Sequence, residues 1–275
     1  MRIITLLSDF GLEDGYVAAM KGVIAGIAPE ARPVDVTHLV PPQDVAFGRF
    51  RLLTVAPFFP PGTVHLAVVD PGVGTARRAL AVRSASGSLF VGPDNGVLGG
   101  ALEADPPVAA VELGEARFWR NPSPSATFHG RDVFAPVAAH LARGMALESF
   151  GPAIPLDALV RLDLPAWEPM PSGARGVIQA VDRFGNLISN MPAAVLENRG
   201  AWRASIGWRT IDGHRTYGDV PPGEPLALAG SHGFVEVAVH CGDARQTLGV
   251  QVGERIQLGW AAPTAAGSPS PTSGS

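Results

Sequence analysis

The sequence is poor in cysteine, in charged residues and in long apolar runs, and each shortage excludes a class of protein. A single cysteine, Cys241, among 275 residues excludes an internal disulfide framework and is typical of a reducing compartment. Charged residues make up 17% of the chain, the net charge is −4 and no basic stripe is present, so nucleic acid is not an expected partner. No apolar run reaches the roughly 20 residues of a membrane helix. We therefore predict a soluble, cytoplasmic protein with no membrane partner.

Apolar residues, by contrast, are abundant at 46%, which predicts a compact protein with ample core for one large or two smaller domains. The start, MRIITLLSDF, predicts a strand and not a signal peptide, because Asp9 interrupts the apolar run too early. Glycine and proline, at 33 and 26 residues, are scattered and mark the ends of elements. Residues 261–275 have no core-forming pattern and are predicted to form a disordered tail.

The first 166 residues alternate between strand and helix patterns. The predicted strands are RIITLL, PVDVTH, TVHLAVVD, ALAVRS, SLFVG and VAAVEL, and the predicted helices are GYVAAMKGVIAGIAP, PQDVAFGRFRLLTVAPFF, NGVLGGALEA and GRDVFAPVAAHLARG. This alternation predicts an α/β domain over residues 1–166, with a Rossmann-like, open, mainly parallel sheet and helices on both faces.

The pattern changes after the proline-rich segment DLPAWEPMPSG. The segments ARGVIQAVDRFGNLISN, WRASIGW, PLALAGSHGFVEVAVH and RIQLGW are typical of short strands joined by turns, with no long helix. We place a domain boundary near residues 165–172 and predict a small β-barrel domain over residues 172–260.

Three polar clusters fall where strands of the first domain end, which is where ligands bind in open α/β sheets. They are LLSDFGLEDGY, VVDPGVGTARR and TFHGRD. Each has a structural alternative: Asp9 and Asp14 could cap the next helix, PGVG could be a plain turn, and His129 could be a packed or capping residue. Their equivalent positions at one edge of one sheet favour a shared site.

The glycines of VVDPGVGTARR do not predict a phosphate site. A dinucleotide fingerprint requires G-x-G-x-x-G before a helix, and a P-loop requires G-K-[ST]. Here Gly72 and Gly74 precede Thr75 and two arginines, and the next predicted element is a strand. The loop is therefore predicted to position side chains, with Asp70 and Arg77 as the candidates.

Six segments together resemble the S-adenosyl-L-methionine (SAM) hydroxide adenosyltransferase family, whose relatives include fluorinase and chlorinase. They are LLSDFGLEDGYVAAMKG, VVDPGVGTARR, GPDNGVL, TFHGRDVFAPVAAHLA, VDRFGNLISN and GSHGFVEVAVHCGDARQTLGVQVG, and they span residues 3 to about 258 in order. The resemblance implies that water or hydroxide attacks the ribose 5′ carbon of SAM, that methionine leaves and that adenosine forms, with no cofactor and no metal.

The resemblance also implies a catalytic triad of Asp70, Arg77 and His129. Asp70 would accept a proton or hydrogen bond from the attacking water, Arg77 would hold Asp70, and His129 would fix the water. Halogenating relatives carry a tyrosine at the position of Asp70 and lack the histidine, so a halide nucleophile is disfavoured.

The remaining substrate contacts follow from the resemblance alone. Asp9 would bind both ribose hydroxyls. The other implied contacts are Asp14, Tyr16, Asp182 and Ser231 for the methionine end, Asn186 and the backbone at Val239 for adenine, and Phe184 and Phe234 as apolar or stacking surface. The chain departs from the family at His232, which replaces an aromatic residue or arginine, and at His240 and Cys241, which replace an Asn-Arg pattern.

Family analogy further implies a homotrimer, with each site built between the first domain of one subunit and the β-domain of its neighbour. Two other classes of function remain open, a SAM- or nucleoside-binding protein without catalysis and a metal-dependent phosphohydrolase. The histidines at positions 38, 65, 140 and 214 are assigned to structure or surface, since none has metal-ligand spacing. Cys241 is expected to be a small buried apolar residue.

Overall fold

The computed structural model describes residues 2–260, and the chain divides into two units, Met1–Asp163 and Leu164–Ser275. The predicted tail, residues 261–275, lies outside the described residues. Across the described part of the chain, no helix combines the length and the apolar character needed to cross a bilayer.

Six strands and four α-helices make up the first unit. The strands are β1 (Ile3–Ser8), β2 (Arg32–Thr37), β3 (Val64–Val68), β4 (Ala79–Ser84), β5 (Leu89–Pro93) and β6 (Pro107–Glu112); the helices are α1 (Tyr16–Ile27), α2 (Val45–Val55), α3 (Gly99–Ala104) and α4 (Ala135–Ala142). Each strand and helix predicted for this region has a counterpart here, and the ends differ by a few residues.

The strands form one sheet in the order β2-β1-β3-β5-β4-β6. The pairs β1–β2, β1–β3 and β3–β5 are parallel, whereas β4 pairs antiparallel with both β5 and β6. The antiparallel pair β4–β5 arises because only four residues join these strands, and a parallel crossover needs about a dozen or more. The predicted α/β class is confirmed, with this antiparallel hairpin added to a parallel core.

Helices cover both faces of the sheet. Leu6 and Leu66 belong to a core cluster that includes residues of α1 and α4, while Leu7 and Ala67 belong to a second cluster with residues of α2 and α3. Successive residues of a strand point to opposite faces, so neighbours along β1 and β3 serve different clusters. Every residue of β3 is buried, as expected for a central strand covered on both sides.

The helix predicted from GRDVFAPVAAHLARG begins differently from the expectation. A π-helical turn, Gly130–Phe134, precedes α4, and Pro136 lies in the first turn of α4. Proline has no N–H to donate to the carbonyl four residues earlier, so the regular α-helical ladder cannot extend unbroken through this segment. π-Turns of this kind occur frequently at functional sites.

The second unit is a nearly closed antiparallel sheet. Its elements are β7 (Glu168–Met170), β8 (Gly173–Val181), β9 (Leu187–Pro192), β10 (Trp202–Ile206), β11 (Arg209–Asp212), β12 (Pro225–Ala229), β13 (Phe234–Val239), α5 (Ala244–Leu248) and β14 (Arg255–Trp260). The order is β11-β10-β14-β8-β9-β13-β12, with β7 added to β8. A bridge between Gly213 and Ala227 links the two outer strands, which agrees with the predicted small β-barrel.

Candidate active site

Asp70 and Arg77 form a tightly bonded ion pair in the loop between β3 and β4. The Arg77 Nε donates to Asp70 Oδ1 at 3.0 Å and Oδ2 at 3.1 Å, and Nη2 donates to Oδ2 at 2.5 Å. The side chains are only 5% and 11% exposed. A planar guanidinium that meets a carboxylate through two nitrogens fixes the direction of both groups. The loop therefore positions the Asp70 and Arg77 side chains, as the sequence predicts.

A glycine brings this loop against a second loop. Gly74 has a φ of +79°, and a Cβ there would lie 2.5 Å from the carbonyl oxygen of Ala126. Any other residue would therefore meet both backbone strain and a direct clash. Gly74 thus allows the Asp70 loop to pack against residues 126–129.

His129 lies at the start of the π-turn and joins the ion pair. Its Nδ1 is 2.9 Å from Arg77 Nη2. Because a guanidinium can only donate, Nδ1 accepts, and a neutral His129 carries its proton on Nε2. Burial and then the Arg77 charge lower the pKa of His129, while Asp70 and Asp132 raise it. The imidazole is therefore neutral near pH 7, with Nε2–H as a donor.

Asp70 and His129 line one cavity of about 360 Å³. Its walls are formed by Asp9, Phe10, Tyr16, Gln43, Val68, Asp70, Pro71, Val73, Thr127, Phe128, His129 and Gly130. The aromatic side is a packed cluster, with ring centroids 5.6 Å apart for Phe10 and Phe128 and 5.1 Å apart for Tyr16 and Phe128. An apolar wall opposite a few polar groups is typical of a small-molecule site.

Asp9 enters the cavity from the loop after β1. Its Oδ2 accepts a hydrogen bond from the backbone N–H of Gln43 at 2.8 Å, and Gln43 holds a positive φ of 66°. The N-cap of α1 is Gly15, which makes no side-chain capping bond, so the alternative helix-capping role of Asp9 and Asp14 is not observed. Gln43 carries no recognisable motif, and only its strained backbone and its place in the wall identify it.

A buried polar chain supports the Asp9 loop from behind. The His38 ring bonds to Ser8 Oγ at 2.7 Å and to Asp35 Oδ1 at 3.1 Å, and its carbonyl accepts from Gly11 N at 2.8 Å. Ser8 is fully buried and does not line the cavity, so this Ser-His-Asp arrangement lacks the access that a nucleophile needs. It holds the backbone on both sides of Asp9, in agreement with the structural assignment of His38.

Asp14 and Tyr16, both implied at the methionine end, differ in placement. Tyr16 lines the cavity and packs against Phe10 at 5.8 Å between ring centroids. Asp14 is exposed and does not line this cavity.

In the second unit, the turn between β8 and β9 brings three predicted residues together. Asp182 Oδ1 accepts from the backbone N–H groups of Phe184 and Asn186, and Oδ2 accepts from Asn186 Nδ2, each at 2.9 Å. Phe184 is 75% exposed, whereas Asn186 is buried. The carboxylate therefore shapes the turn that presents the Phe184 ring to solvent.

The other predicted residues of this unit are spread along β13. Ser231 is exposed in the turn before β13, Phe234 begins the strand and Val239 ends it. Five residues of extended chain separate the last two by about 17 Å. Ser231, implied at methionine, and Val239, implied at adenine, therefore lie near opposite ends of one strand, whereas Asp182 and Asn186 share a single turn.

The sequence analysis missed a buried carboxylate on β13, between Phe234 and Val239. Glu236 is 2% exposed and accepts from Tyr217 Oη at 2.6 Å and His232 Nε2 at 3.0 Å. The Phe234 N–H donates to His232 Nδ1 at 3.2 Å, so the ring proton is on Nε2. Burial, and then the hydrogen bond to Glu236, raise the pKa of Tyr217. His232 thus braces the turn that carries Ser231.

Cys241 corrects one expectation. It was predicted to be buried, but it is exposed and adopts a φ of +55°. The residue occupies a left-handed turn position two residues after β13, where the chain leaves the sheet, and this directs the side chain away from the core.

Among residues 2–260, no three His, Cys, Asp or Glu side chains are grouped as they would be to hold a metal ion. The carboxylates that follow strand ends instead bond to arginine or to backbone N–H groups, as Asp70 and Asp9 do.

Comparison with known proteins finds matches over most of the chain. Residues 4–151 match the SAM hydroxide adenosyltransferase N-terminal domain, and residues 176–257 match the C-terminal domain of the same family. The (R)-S-adenosyl-L-methionine hydrolase of Thermus thermophilus is 45% identical over 268 residues, which cover 94% of this chain and 100% of that protein. The protein of the same name from Salinispora arenicola is 48% identical, covering 93% and 97%.

A more distant relative and a solved structure also match most of this chain. A fluorinase from an Actinoplanes species is 31% identical, covering 86% of this chain and 90% of its own. The crystal structure of an uncharacterized conserved protein from Thermotoga maritima superposes with a TM-score of 0.87 at 37% identity, covering 93% of this chain and 99% of that one.

Proposed function

The chain belongs to the SAM hydroxide adenosyltransferase family, and from that membership we infer that it is a SAM hydrolase that forms adenosine and L-methionine. One observation carries the mechanistic part of the proposal. Arg77 bonds both to Asp70 of its own loop and to His129 of a second loop, and Asp70 and His129 both lie in the wall of a single cavity.

The reaction needs an oriented nucleophile more than an acid. The sulfonium of SAM is already a good leaving group, so no proton has to be supplied to it. A water oxygen forms a bond to the 5′ carbon as the carbon–sulfur bond breaks, and the electron pair of that bond returns to sulfur to give neutral methionine. The enzyme contributes by positioning the water and receiving its proton.

We assign the proton to Asp70 and the orientation of the water to His129. Arg77 engages both carboxylate oxygens, which fixes the plane of the carboxylate while leaving further lone pairs for water. The Nε2–H of neutral His129 donates to the water oxygen, so that one donor and one acceptor determine the direction of attack. Halide fits this arrangement poorly, because the site offers it a carboxylate.

The finer assignments of the binding site are also proposals. Asp9 and Gln43 would hold the ribose hydroxyls, and the Phe10, Tyr16 and Phe128 wall would pack against the substrate. Within the second unit, Asp182 and Ser231 would bind the amino-acid part, and Asn186 and the Val239 backbone would meet adenine. We further propose a homotrimer in which the β-domain of a neighbouring subunit completes each site.

The test of the function is direct incubation of the purified protein with SAM in buffered water, followed by chromatography. Adenosine and methionine in equal amounts are expected, and a chelator should leave the rate unchanged. Absence of both products would refute the hydrolase, and loss of activity on chelation would favour the metal-dependent alternative.

Asp9→Asn should weaken the binding of adenosine more than the binding of methionine. Both side chains can accept the backbone N–H of Gln43, but the amide is a poorer acceptor for two ribose hydroxyls than a carboxylate is. A charge-assisted hydrogen bond contributes about 1.5–3 kcal/mol, so adenosine affinity should fall by roughly 10- to 100-fold.

Titration calorimetry with adenosine and with methionine measures the two affinities. Asp14→Asn is the matched control for adenosine affinity, since Asp14 is implied only at the methionine end, is exposed and lies outside the cavity lining. Unchanged adenosine affinity in a folded Asp9→Asn protein would contradict the ribose assignment.

A further inference from the structure

The π-turn after His129 exposes a backbone carbonyl that a regular helix would use internally. Pro136 has no N–H, so it cannot donate to the carbonyl of Asp132, four residues earlier. That carbonyl instead accepts from the backbone N–H of Arg120 at 2.9 Å. The start of α4 is thereby tied to the preceding loop, residues 120–125.

The Asp132 side chain strengthens the same connection. It is fully buried and accepts from Ser125 N at 2.9 Å, from Arg131 Nε at 2.7 Å and from Arg131 Nη2 at 2.8 Å, with Arg120 Nη1 at 3.5 Å. The hydrogen bonds from Arg131 lower the pKa of Asp132 to about 2, against the opposing effect of burial. Asp132 is therefore an anion at neutral pH.

Arg131 carries the effect of Asp132 to the aromatic wall. With its guanidinium held by Asp132, Arg131 lies over the Phe128 ring, 4.9 Å from the centroid. Phe128 packs in turn against Phe10 and Tyr16, and all three rings line the cavity. Neither Arg131 nor Asp132 is itself part of the lining.

We propose that Asp132 is a positioning residue of the hydrolase: it holds His129 and Phe128 in their working orientation through the π-turn, Arg131 and the 120–125 loop. This inference rests on the proposed function, because it concerns the same site. A buried carboxylate that braces the segment on both sides of a catalytic histidine sets the direction of the histidine without touching substrate.

Electrostatics provide a signature that a purely structural role would not produce. The charged groups that face His129 are Arg77 and Asp70 from the β3–β4 loop and Asp132 from its own turn, and Asp9 shares the cavity. The Asp132 anion raises the pKa of His129, against burial and Arg77. Removing that anion should therefore lower the pKa of His129 further.

The chain offers a matched control for Asp132→Asn. Asp94 is also a buried carboxylate; it accepts from Arg78 Nε at 2.8 Å and from the backbone N–H of Val160 at 2.9 Å, but it lies outside this cavity. Asp132→Asn and Asp94→Asn thus make the same chemical change in similar surroundings. Each keeps a carbonyl acceptor for the backbone N–H and removes the negative charge beside an arginine.

We expect kcat to fall about 10- to 100-fold in Asp132→Asn and to stay within about twofold of wild type in Asp94→Asn, at temperatures where both are folded. The acid limb of the kcat/KM profile should move to lower pH in Asp132→Asn alone, by about half a unit. Equal losses in both variants, with no shift of the limb, would overturn the inference.

A second variant guards against misfolding of Asp132→Asn. Arg131→Gln keeps the buried acid but removes its main partner and the cation over Phe128, so kcat should fall while the pKa of His129 rises. NMR titration of the His129 ring measures that pKa without turnover, with His129→Gln identifying the signal. An unchanged His129 pKa in both variants refutes the inference, whether or not the wild-type protein forms adenosine. Failure of the wild-type protein to form adenosine would instead refute the proposed function.

Discussion

Asp70→Ala is expected to lower the rate of adenosine formation by about 10²- to 10⁴-fold, the usual contribution of a positioned general base. The loss should appear in kcat, because the methyl group leaves the water at the 5′ carbon with neither a proton acceptor nor a fixed direction. Steady-state rates measured by chromatography of adenosine provide the value.

Folding has to be separated from chemistry in this variant. Asp70 and Arg77 are both largely buried, and removing one partner of a buried ion pair costs roughly 3–5 kcal/mol of stability. Asp94→Ala breaks the comparable pair with Arg78 outside the cavity, so it should lose stability and retain turnover. Thermal unfolding identifies a temperature at which both variants are folded. Turnover near the wild-type value in folded Asp70→Ala would remove Asp70 from the mechanism.

Hydrolysis in ¹⁸O-labelled water should place the label at the 5′ oxygen of nearly all the adenosine formed. Attack occurs at carbon, so the new carbon–oxygen bond carries the solvent oxygen and the other ribose oxygens stay unlabelled. Mass spectrometry of the product and of its ribose fragment locates the label. Unlabelled adenosine would mean that the oxygen came from another source and would contradict a water site at Asp70 and His129.

The same reaction in a large excess of chloride or fluoride should yield little or no 5′-halogenated product. The Asp70 carboxylate repels a halide, whereas its acceptor oxygens hold water, so the site stabilises one nucleophile in the transition state and not the other. The test matters because a fluorinase is 31% identical to this chain over 86% of its length, so overall similarity alone does not distinguish a halide from a water nucleophile. Halogenated nucleoside as the main product would overturn the hydrolase assignment.

Much of the fold could be predicted because its signals are local. Apolar runs and turn residues identified the strands of both units, and the stop at Pro29 and the proline-rich segment near residue 165 marked ends of elements. The antiparallel placement of β4 was less visible, because strand patterns carry no direction. Only the four-residue connection between β4 and β5 indicates it, through the minimum length of a parallel crossover.

The site residues were also easier to predict where their contacts are local in sequence. Asp70 and Arg77 are seven residues apart across a glycine turn, so their meeting is almost a local event. His129, 52 residues beyond Arg77, was linked to them only by its predicted place at the same sheet edge and by resemblance, and neither Gln43 nor Glu236 was identified from the sequence. Resemblance also grouped Asp14 with Tyr16, although only the tyrosine lines the cavity.

The sequence by itself determined the class of fold and the family, because hydrophobic periodicity, turn residues and ordered motifs can be read along the chain. Only the tertiary structure decided which side chains meet and which nitrogen of His129 carries the proton. It also decided that the Asp132 carboxylate, in the π-turn after His129, bonds to Ser125 and Arg131. Those properties depend on contacts between loops far apart in sequence, such as Gly74 against Ala126, and on a carbonyl left free by Pro136. A contact of that kind forms only when the sheet brings the carboxyl ends of its strands to one edge.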